Sequence, residues 1–498
     1  MRKVKIQKAY ELTPMQEGML YHSLLENNGD AYFGHLSFNI KGKLNIKAFE
    51  ESFNLMIEKY DIFRTIFNYE KANNPFQIVL ESRNEKVNFY DISSLDPKNQ
   101  VEEIENFKKK DKERGFNLAK DILIRISLFR IKEEEFIVIF TFHHIIIDGW
   151  CLSIIVNNLF ETYKSLVQKH DIEDIEVVQY EKYINWLKKR NSVSDEEYWT
   201  RYLEGVDTTT KVPYKKDIYE QGYNQKELNF SIEEEETFLL NTYARENKVT
   251  LNSIIQSVWG VLLSKYNNSR DIVFGNIVSG RHADILDVDK IVGLLINTNP
   301  IRINFIENST FSDIINQVQT RIVEAQDYSH FSLREIQKKT LLGNNLINNV
   351  IAFENIPEEI DLIGGHNFEE VKISDFNLEQ QTNLDFNMIV IPKNKINFNI
   401  KYNSLVFDDN DINKISEDIK YVISYFIQNL NVKIADINLV NEDKIFIENY
   451  NNSEEDFSFD TIQNLFKEQV KRVPNASAVE MNDKKISYKE LDERSNEV

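Results

Sequence analysis

The chain has 498 residues, a formal net charge of −21 and a sequence pI near 5.0, which exclude strong non-specific attraction to nucleic acid or to an anionic membrane. A single cysteine, Cys151, excludes an intrachain disulfide and fits a reducing, cytoplasmic setting. No apolar run nears the ~20 residues of a membrane helix, and Met1-Arg2-Lys3-Val4-Lys5 lacks an apolar signal core. The length predicts two or three structural units, and 42% hydrophobic residues suffice to give them packed interiors.

Leu12-Thr13-Pro14-Met15-Gln16-Glu17-Gly18-Met19-Leu20 reads as a helix start. Thr13 is its cap, Pro14 suits the first turn and Glu17 lies near the capping-box position. Residues 36–40 read as a strand. Residues 46–60 read as a helix ending at Asp61-Ile62-Phe63-Arg64-Thr65-Ile66-Phe67, the entry to a further strand. Residues 122–130 and 135–142 form a hairpin-like pair of strands, and 150–168 are apolar at helical spacing. An α+β unit over residues 1–175 is expected.

Tyr180, Tyr183 and Trp186 then share one helical face. Residues 250–266, capped by Thr250, and residues 311–325 and 412–428 have helical periodicity. Residues 271–278, 350–353, 386–391 and 396–402 read as strands, the first running into Ser279-Gly280-Arg281. These make a second α+β unit over 176–440, without a sequence repeat. A strand-like end at 437–440 leads into a polar, acidic linker at 441–460. Thr461 opens a new amphipathic helix, and Ile486-Ser487-Tyr488-Lys489-Glu490-Leu491 reads as a strand entering a helix. About 40 residues are too few to bury a core, so 461–498 are read as the cut opening of a further domain.

The densest chemistry is in His143-His144-Ile145-Ile146-Ile147-Asp148-Gly149-Trp150, which closes the apolar strand run. A neutral imidazole at a strand end can take a proton near pH 7. The carboxylate can hold the loop or the ring, and the glycine lets backbone pass close to a substrate. Adjacent strand residues point to opposite faces, so one of the two histidines suits a given pocket. Two satisfied core histidines would give the same spacing. Zinc is disfavoured, because there is one cysteine and no HExxH or CxxC spacing. His282, His330 and His366 stand isolated and read as ordinary surface or core residues.

The same segment is the HHxxxDG pattern of acyltransferases that resemble chloramphenicol acetyltransferase. More narrowly, it resembles the condensation domains of nonribosomal peptide synthetases, those of the tyrocidine and surfactin type in particular. The resemblance spans nearly the whole chain. The segments at 12–20 and 60–67 resemble the first two motifs of that family, and 143–150 the third. Residues 180–186 resemble the fourth, with Ile184-Asn185 in place of the usual Phe-Ala. Val292-Gly293-Leu294-Leu295-Ile296-Asn297-Thr298 matches the fifth, and Asp327-Tyr328-Ser329-His330-Phe331 is a loose sixth. Residues 461–498 resemble the opening of an adenylation domain. Met15 to Leu20 and Ile147-Asp148-Gly149-Trp150-Cys151 resemble the subtype that follows an epimerisation domain and joins a D donor to an L acceptor.

The resemblance implies an α+β fold of two chloramphenicol-acetyltransferase-like lobes, a V-shaped pseudo-dimer around a central substrate tunnel. It implies attack of an acceptor aminoacyl amine on a donor acyl thioester, both borne on phosphopantetheine arms of carrier proteins. No metal and no intrinsic cofactor are then required. The implied partners are an upstream donor carrier protein, a downstream acceptor carrier protein and an adenylation domain, with the chain itself a monomer. His144 is the candidate for the proton, either removing it or orienting the amine. The Gly149 N–H would stabilise the oxyanion, and His143 would be structural. Asp148 is read as a scaffold with Arg281 as first candidate partner and Arg64 as second. Trp150 is read as core packing or as lining the acceptor side. Two other readings are a stand-alone acyl-CoA-dependent acyltransferase, disfavoured by the adenylation-like tail, and a silent domain that recruits partner proteins, disfavoured by the presence of His144 and Gly149.

Overall fold

The computed structural model describes residues 5–25, 32–69, 75–171, 177–190, 192–213, 222–354, 371–380, 384–439, 460–482 and 484–497. They divide into two compact units, Met1–Asn438 and Leu439–Val498. The linker read at 441–460 lies outside the described residues except for Asp460, and so does His366.

The first unit is α+β, as expected. Its early strands are β1 (Ile6–Glu11), β2 (Phe33–Gly42), β3 (Thr65–Asn68), β4 (Phe76–Leu80), β5 (Asn88–Asp91), β6 (Ile124–Lys132) and β7 (Glu135–His143). Then follow β8 (Gln225–Ile232), β9 (Asp271–Val278), β10 (Asn297–Asn304), β11 (Val350–Phe353), β12 (Val371–Gln380), β13 (Phe386–Pro392) and β14 (Ile396–Asn403). A five-stranded sheet runs in the order β12-β2-β7-β6-β5 and a six-stranded one in the order β10-β9-β11-β13-β14-β8. β12, from late in the chain, therefore completes the sheet built by residues 33–143.

β7 is flanked on both sides, antiparallel to β2 and to β6. A strand covered on both faces needs a near-continuous apolar run, and Phe136-Ile137-Val138-Ile139-Phe140 supplies it. Phe136, Val138, Phe140 and Phe142 face the main core, which also holds the helices Ile46–Lys59 and Cys151–Gln168. Ile139 faces a smaller cluster with Ile104 of the helix Pro97–Arg114. The loop between β9 and β10 adds Ala283, Ile291, Val292, Leu294 and Leu295 to the main core. This loop carries the second half of the chain onto the end of β7.

Three local readings need correction. Residues Asp61–Arg64 form a 3-10 turn, with Tyr60 O accepting from Phe63 N–H at 3.1 Å, and the strand begins only at Thr65. Helix Pro14–Leu25 is capped by Thr13 with Gln16, not Glu17: Gln16 N–H donates to Thr13 Oγ1 at 3.3 Å and Thr13 N–H to Gln16 Oε1 at 3.0 Å. The strand expected at 437–440 is instead preceded by a 3-10 turn at Ile434–Asp436, and 437–439 are irregular.

In the second unit the helix Ile462–Arg472, capped by Thr461, precedes the hairpin of β15 (Ser477–Met481) and β16 (Lys484–Ser487). Ser487 and Glu490 form a reciprocal capping box for the helix Tyr488–Asn496. None of its described residues is buried, which is what so small a unit can achieve alone.

Candidate active site

β7 ends at His143 and the chain turns at once. Ile146 N–H returns to His143 O at 3.2 Å and Ile147 N–H to His144 O at 3.3 Å. Ile145, Ile146 and Ile147 are wholly buried and anchor the turn. Alternation puts His143 on the face of Ile139 and Thr141. There its Nδ1 accepts from Ile145 N–H at 3.1 Å and its Nε2 lies 3.4 Å from Ser23 Oγ. Burial, and then the adjacent His144, push its pKa down to about 3, so the ring is neutral and braces the turn.

His144 points the other way and is half-buried. Its backbone N–H donates to Tyr32 O at 2.8 Å. Burial lowers the pKa of the ring, against the smaller opposing pull of Asp148 and of nearby backbone, so this imidazole too is neutral near pH 7. Its Nδ1 is sealed from solvent and turned to the backbone of the His144–Ile147 turn, with no side-chain partner among the described residues.

Asp148 has no exposed surface. The Arg281 guanidinium grips it as a fork, Nη1 to Oδ2 at 2.9 Å and Nη2 to Oδ1 at 3.1 Å. Leu295 N–H donates to Oδ2 at 3.0 Å and Cys151 Sγ to Oδ1 at 3.2 Å. Burial alone would raise the carboxyl pKa, but the Arg281 charge and these donors outweigh it and hold Asp148 ionised. Arg281 reaches the site from Gly280, whose φ of +65° and close approach exclude a side chain: a Cβ there would lie 1.9 Å from Leu295 O.

Arg64, the second candidate, is elsewhere: its Nη2 pairs with Asp61 at 2.7 Å, its Nη1 donates to Gln7 Oε1 at 2.8 Å, and the guanidinium also serves the backbone carbonyls of Ile57, Glu58, Leu80 and Glu81. Its place in a 3-10 turn, not a strand, explains this, since the turn aims the side chain at loose carbonyl ends. Trp150 is not core packing, being 46% exposed. Its ring lies 5.4 Å from the Arg281 guanidinium and its Nε1 donates to Asp289 O at 2.9 Å. Gly149 is exposed, a Cβ on it would meet nothing within 4 Å, and its N–H donates to no acceptor among the described residues. His282 is exposed, whereas His330 is paired with Asp195 at 2.9 Å and is not isolated.

Sequence reasoning missed three supports. Buried Gln16 donates Nε2 to Ile145 O at 3.2 Å and accepts from Gln77 Nε2 at 2.9 Å, tying the first motif to the third. The N3 position after a Thr cap was the available signal. Cys151 Sγ, its one S–H turned to Asp148, also accepts from Gly293 N–H at 3.3 Å, and burial pushes its thiol up to about 12, so it packs and does not react. The Tyr180 hydroxyl donates to Leu294 O at 2.7 Å, while Gly293 lies so close to the Tyr180 ring that a Cβ would come within 2.1 Å. Motifs one, three, four and five thus converge on one turn.

The family model for the Condensation domain matches residues 6–445. Tyrocidine synthase 2 of Brevibacillus parabrevis is 36% identical over 500 residues, 100% of this chain and 14% of that protein. Surfactin synthase subunit 2 of Bacillus subtilis (strain 168) is 35% identical over 502 residues, again 100% of this chain and 14% of the relative. The chain thus spans about one seventh of these relatives. Among solved structures, holo-AB3403, a four domain nonribosomal peptide synthetase bound to AMP and glycine, superposes with a TM-score of 0.76 at 17% identity, over 99% of this chain and 38% of that one. The X-domain from teicoplanin biosynthesis gives 0.75 at 16% identity, over 88% of this chain and 99% of that one. On the family match and these identities, the chain belongs to the Condensation domain family.

Proposed function

We propose that this domain forms a peptide bond between a donor acyl thioester and an acceptor aminoacyl thioester, each tethered to a carrier protein by phosphopantetheine. The observation that carries the reading is His144: a neutral imidazole with no side-chain hydrogen-bond partner among the described residues, on a turn fixed by a buried carboxylate–guanidinium fork. The amine lone pair attacks the thioester carbon, the C–S bond breaks and the pantetheine sulfur leaves as thiol. His144 accepts the proton that the nitrogen loses, or the hydrogen bond that aligns it. Either role contributes roughly 10²–10⁴-fold. Holding two tethered reactants together contributes up to ~7–11 kcal/mol. The N–H of exposed Gly149, which donates to no acceptor among the described residues, is suited to the oxyanion that develops.

The reading extends to two acetyltransferase-like lobes, 1–175 and 176–440, opening as a V around a tunnel to His144. Residues 461–498 are then the start of an adenylation domain, after a linker at 441–460. The protein works in the cytoplasm as a monomer between a donor carrier protein, placed after an epimerisation domain, and an acceptor carrier protein. It needs no cofactor of its own. The test is dipeptide formation on an L-aminoacyl acceptor carrier from D- and L-loaded donor carriers, read by mass spectrometry. Product from the D donor alone supports the D-to-L subtype. Product from the L donor keeps the reaction and overturns the subtype.

A further inference from the structure

The ends of two adjacent strands hold the His144–Asp148 turn, and the end of a third lies beside them. Leu295, two residues before β10, donates its N–H to Asp148. Arg281, three residues after β9, supplies the guanidinium fork. β11 runs parallel to β9 on its other side with Ala352 opposite Ile277, so the next positions bring Glu354 level with Ser279. Glu354 is still held in the sheet, its N–H donating to Val390 O at 2.8 Å.

Alternation places Glu354 on the face of Val350 and Ala352. That face is turned away from the helix Leu251–Asn267, because Asn276, opposite Ile351, accepts from Gln256 of that helix. The carboxyl makes no hydrogen bond or ion pair among the described residues. Lys401 is the cation whose field reaches it, but Lys401 Nζ lies 3.4 Å from Glu227 and 3.4 Å from Gln380 O. Glu354 keeps some exposed surface, yet it is enclosed enough that burial raises its pKa. The Lys401 charge opposes that rise and the Asp148 charge adds to it. An enclosed carboxyl ordinarily has an N–H or cationic partner within the protein. Here the two neighbouring strand ends satisfy Asp148 and the third offers, one strand away, an acid that is unpaired among the described residues.

We propose that Glu354 is a substrate-binding residue that receives the α-ammonium of the acceptor aminoacyl group and brings it beside His144. This rests on the condensation reading. An α-amine with an ordinary pKa near 8 arrives mostly protonated at neutral pH, and a carboxylate holds that form by charge-assisted hydrogen bonds. His144 and Glu354 then divide the work: the Glu354 carboxylate places the ammonium and takes its first proton, which frees the lone pair, His144 takes the second as the C–N bond forms, and one of the two protons returns to the pantetheine sulfur that leaves while the other passes to solvent.

The experiment uses the full chain with an N-acetylated donor on its carrier protein, in D and L forms, so that the acceptor amine is the one ammonium among the reacting groups. A soluble L-aminoacyl-pantetheine acceptor is titrated against wild type, Glu354→Gln and Glu354→Asp. A second readout is inhibition by the pantetheine amides of an L-amino acid and of its α-hydroxy counterpart. Wild type is expected to prefer the amino over the hydroxy inhibitor. Glu354→Gln, which preserves shape and the Val390 bond, is expected to raise the half-saturating acceptor concentration by about tenfold, the loss of one strong polar contact, and to abolish the preference, whereas Glu354→Asp retains part of it. Unchanged half-saturation and preference in Glu354→Gln, or an effect on the maximum rate alone, overturns the inference while dipeptide from wild type leaves the condensation reading standing. No dipeptide from wild type with either donor overturns both.

Discussion

Replacing Asp148 by Ala removes four contacts at once: the two arms of the Arg281 fork, the Leu295 N–H and the Cys151 thiol. The Arg281 side chain is 5% exposed, so its charge is left enclosed with no anion to pair, only the Ser279 and Ile291 carbonyls, the Cys151 sulfur and the Trp150 ring. Breaking a buried pair in this way costs about 3–5 kcal/mol, within a total stability of about 5–15 kcal/mol. A solvent-exposed pair would contribute at most ~1 kcal/mol. For a unit as long as Met1–Asn438, an unfolding entropy of about 2.1 cal/mol/K per residue makes each kcal/mol worth only about 1 °C. The melt should therefore fall by about 3–5 °C, and the urea midpoint is the more sensitive assay. Arg281→Ala should show a similar loss. The double variant should fall well short of the sum, because the second substitution removes a charge that the first had stranded. Dipeptide formation should be lost in all three. Wild-type melting of Asp148→Ala, or additive losses in the double variant, would refute the scaffold role.

Gly280→Ala places a Cβ against Leu295 O in a left-handed backbone, so it should cost more than 1 kcal/mol, lower the urea midpoint and reduce activity, whereas Gly149→Ala should leave the unfolding free energy within about 0.5 kcal/mol of wild type. Equal midpoints for the two would contradict the close approach at Gly280. His144 has its pKa lowered and acts as the neutral ring, so the acidic limb of the rate profile should lie below the ordinary 6.5 and vanish in His144→Ala; a limb above 6.5 would be wrong for this site. His143 is held neutral down to about pH 3 while the unfolded chain takes up its proton near 6.5. The unfolded state then binds the extra proton, so stability falls with pH between 6.5 and 3 by about 1.4 kcal/mol per unit from this ring alone. His143→Gln should flatten that slope in denaturant titrations at pH 5 to 7, and an unchanged slope would assign it elsewhere.

The hairpin of β6 and β7 and the helices capped by Thr250 and Thr461 were legible in the sequence, because long periodic runs and side-chain caps are local signals. β1, β4, β5, β8, β10 and β12 were not read. Several have mixed, half-exposed patterns, and β12 is defined by pairing with β2 more than 300 residues away. The site was legible where chemistry and spacing coincide, at His143, His144 and Asp148, and Arg281 stood out as a cation after a Gly at a strand end. Trp150 was misread because aromatic character suggests burial, while helix entry turns it outward over Arg281. Arg64 was misread because its apolar neighbours hid a 3-10 turn. Gln16, Cys151 and Glu354 acquire meaning only through partners or neighbours far along the chain, which periodicity does not report.

The most direct measurement is single-turnover dipeptide formation on the acceptor phosphopantetheine arm, followed by intact-mass spectrometry for wild type and His144→Ala at matched melting temperature. Dipeptide from wild type, slowed by roughly 10²–10⁴-fold in the variant, is the predicted result. Equal rates would remove His144 from the chemistry, and no product from wild type with carrier proteins still bound would make this a domain that recruits partners and does not condense them.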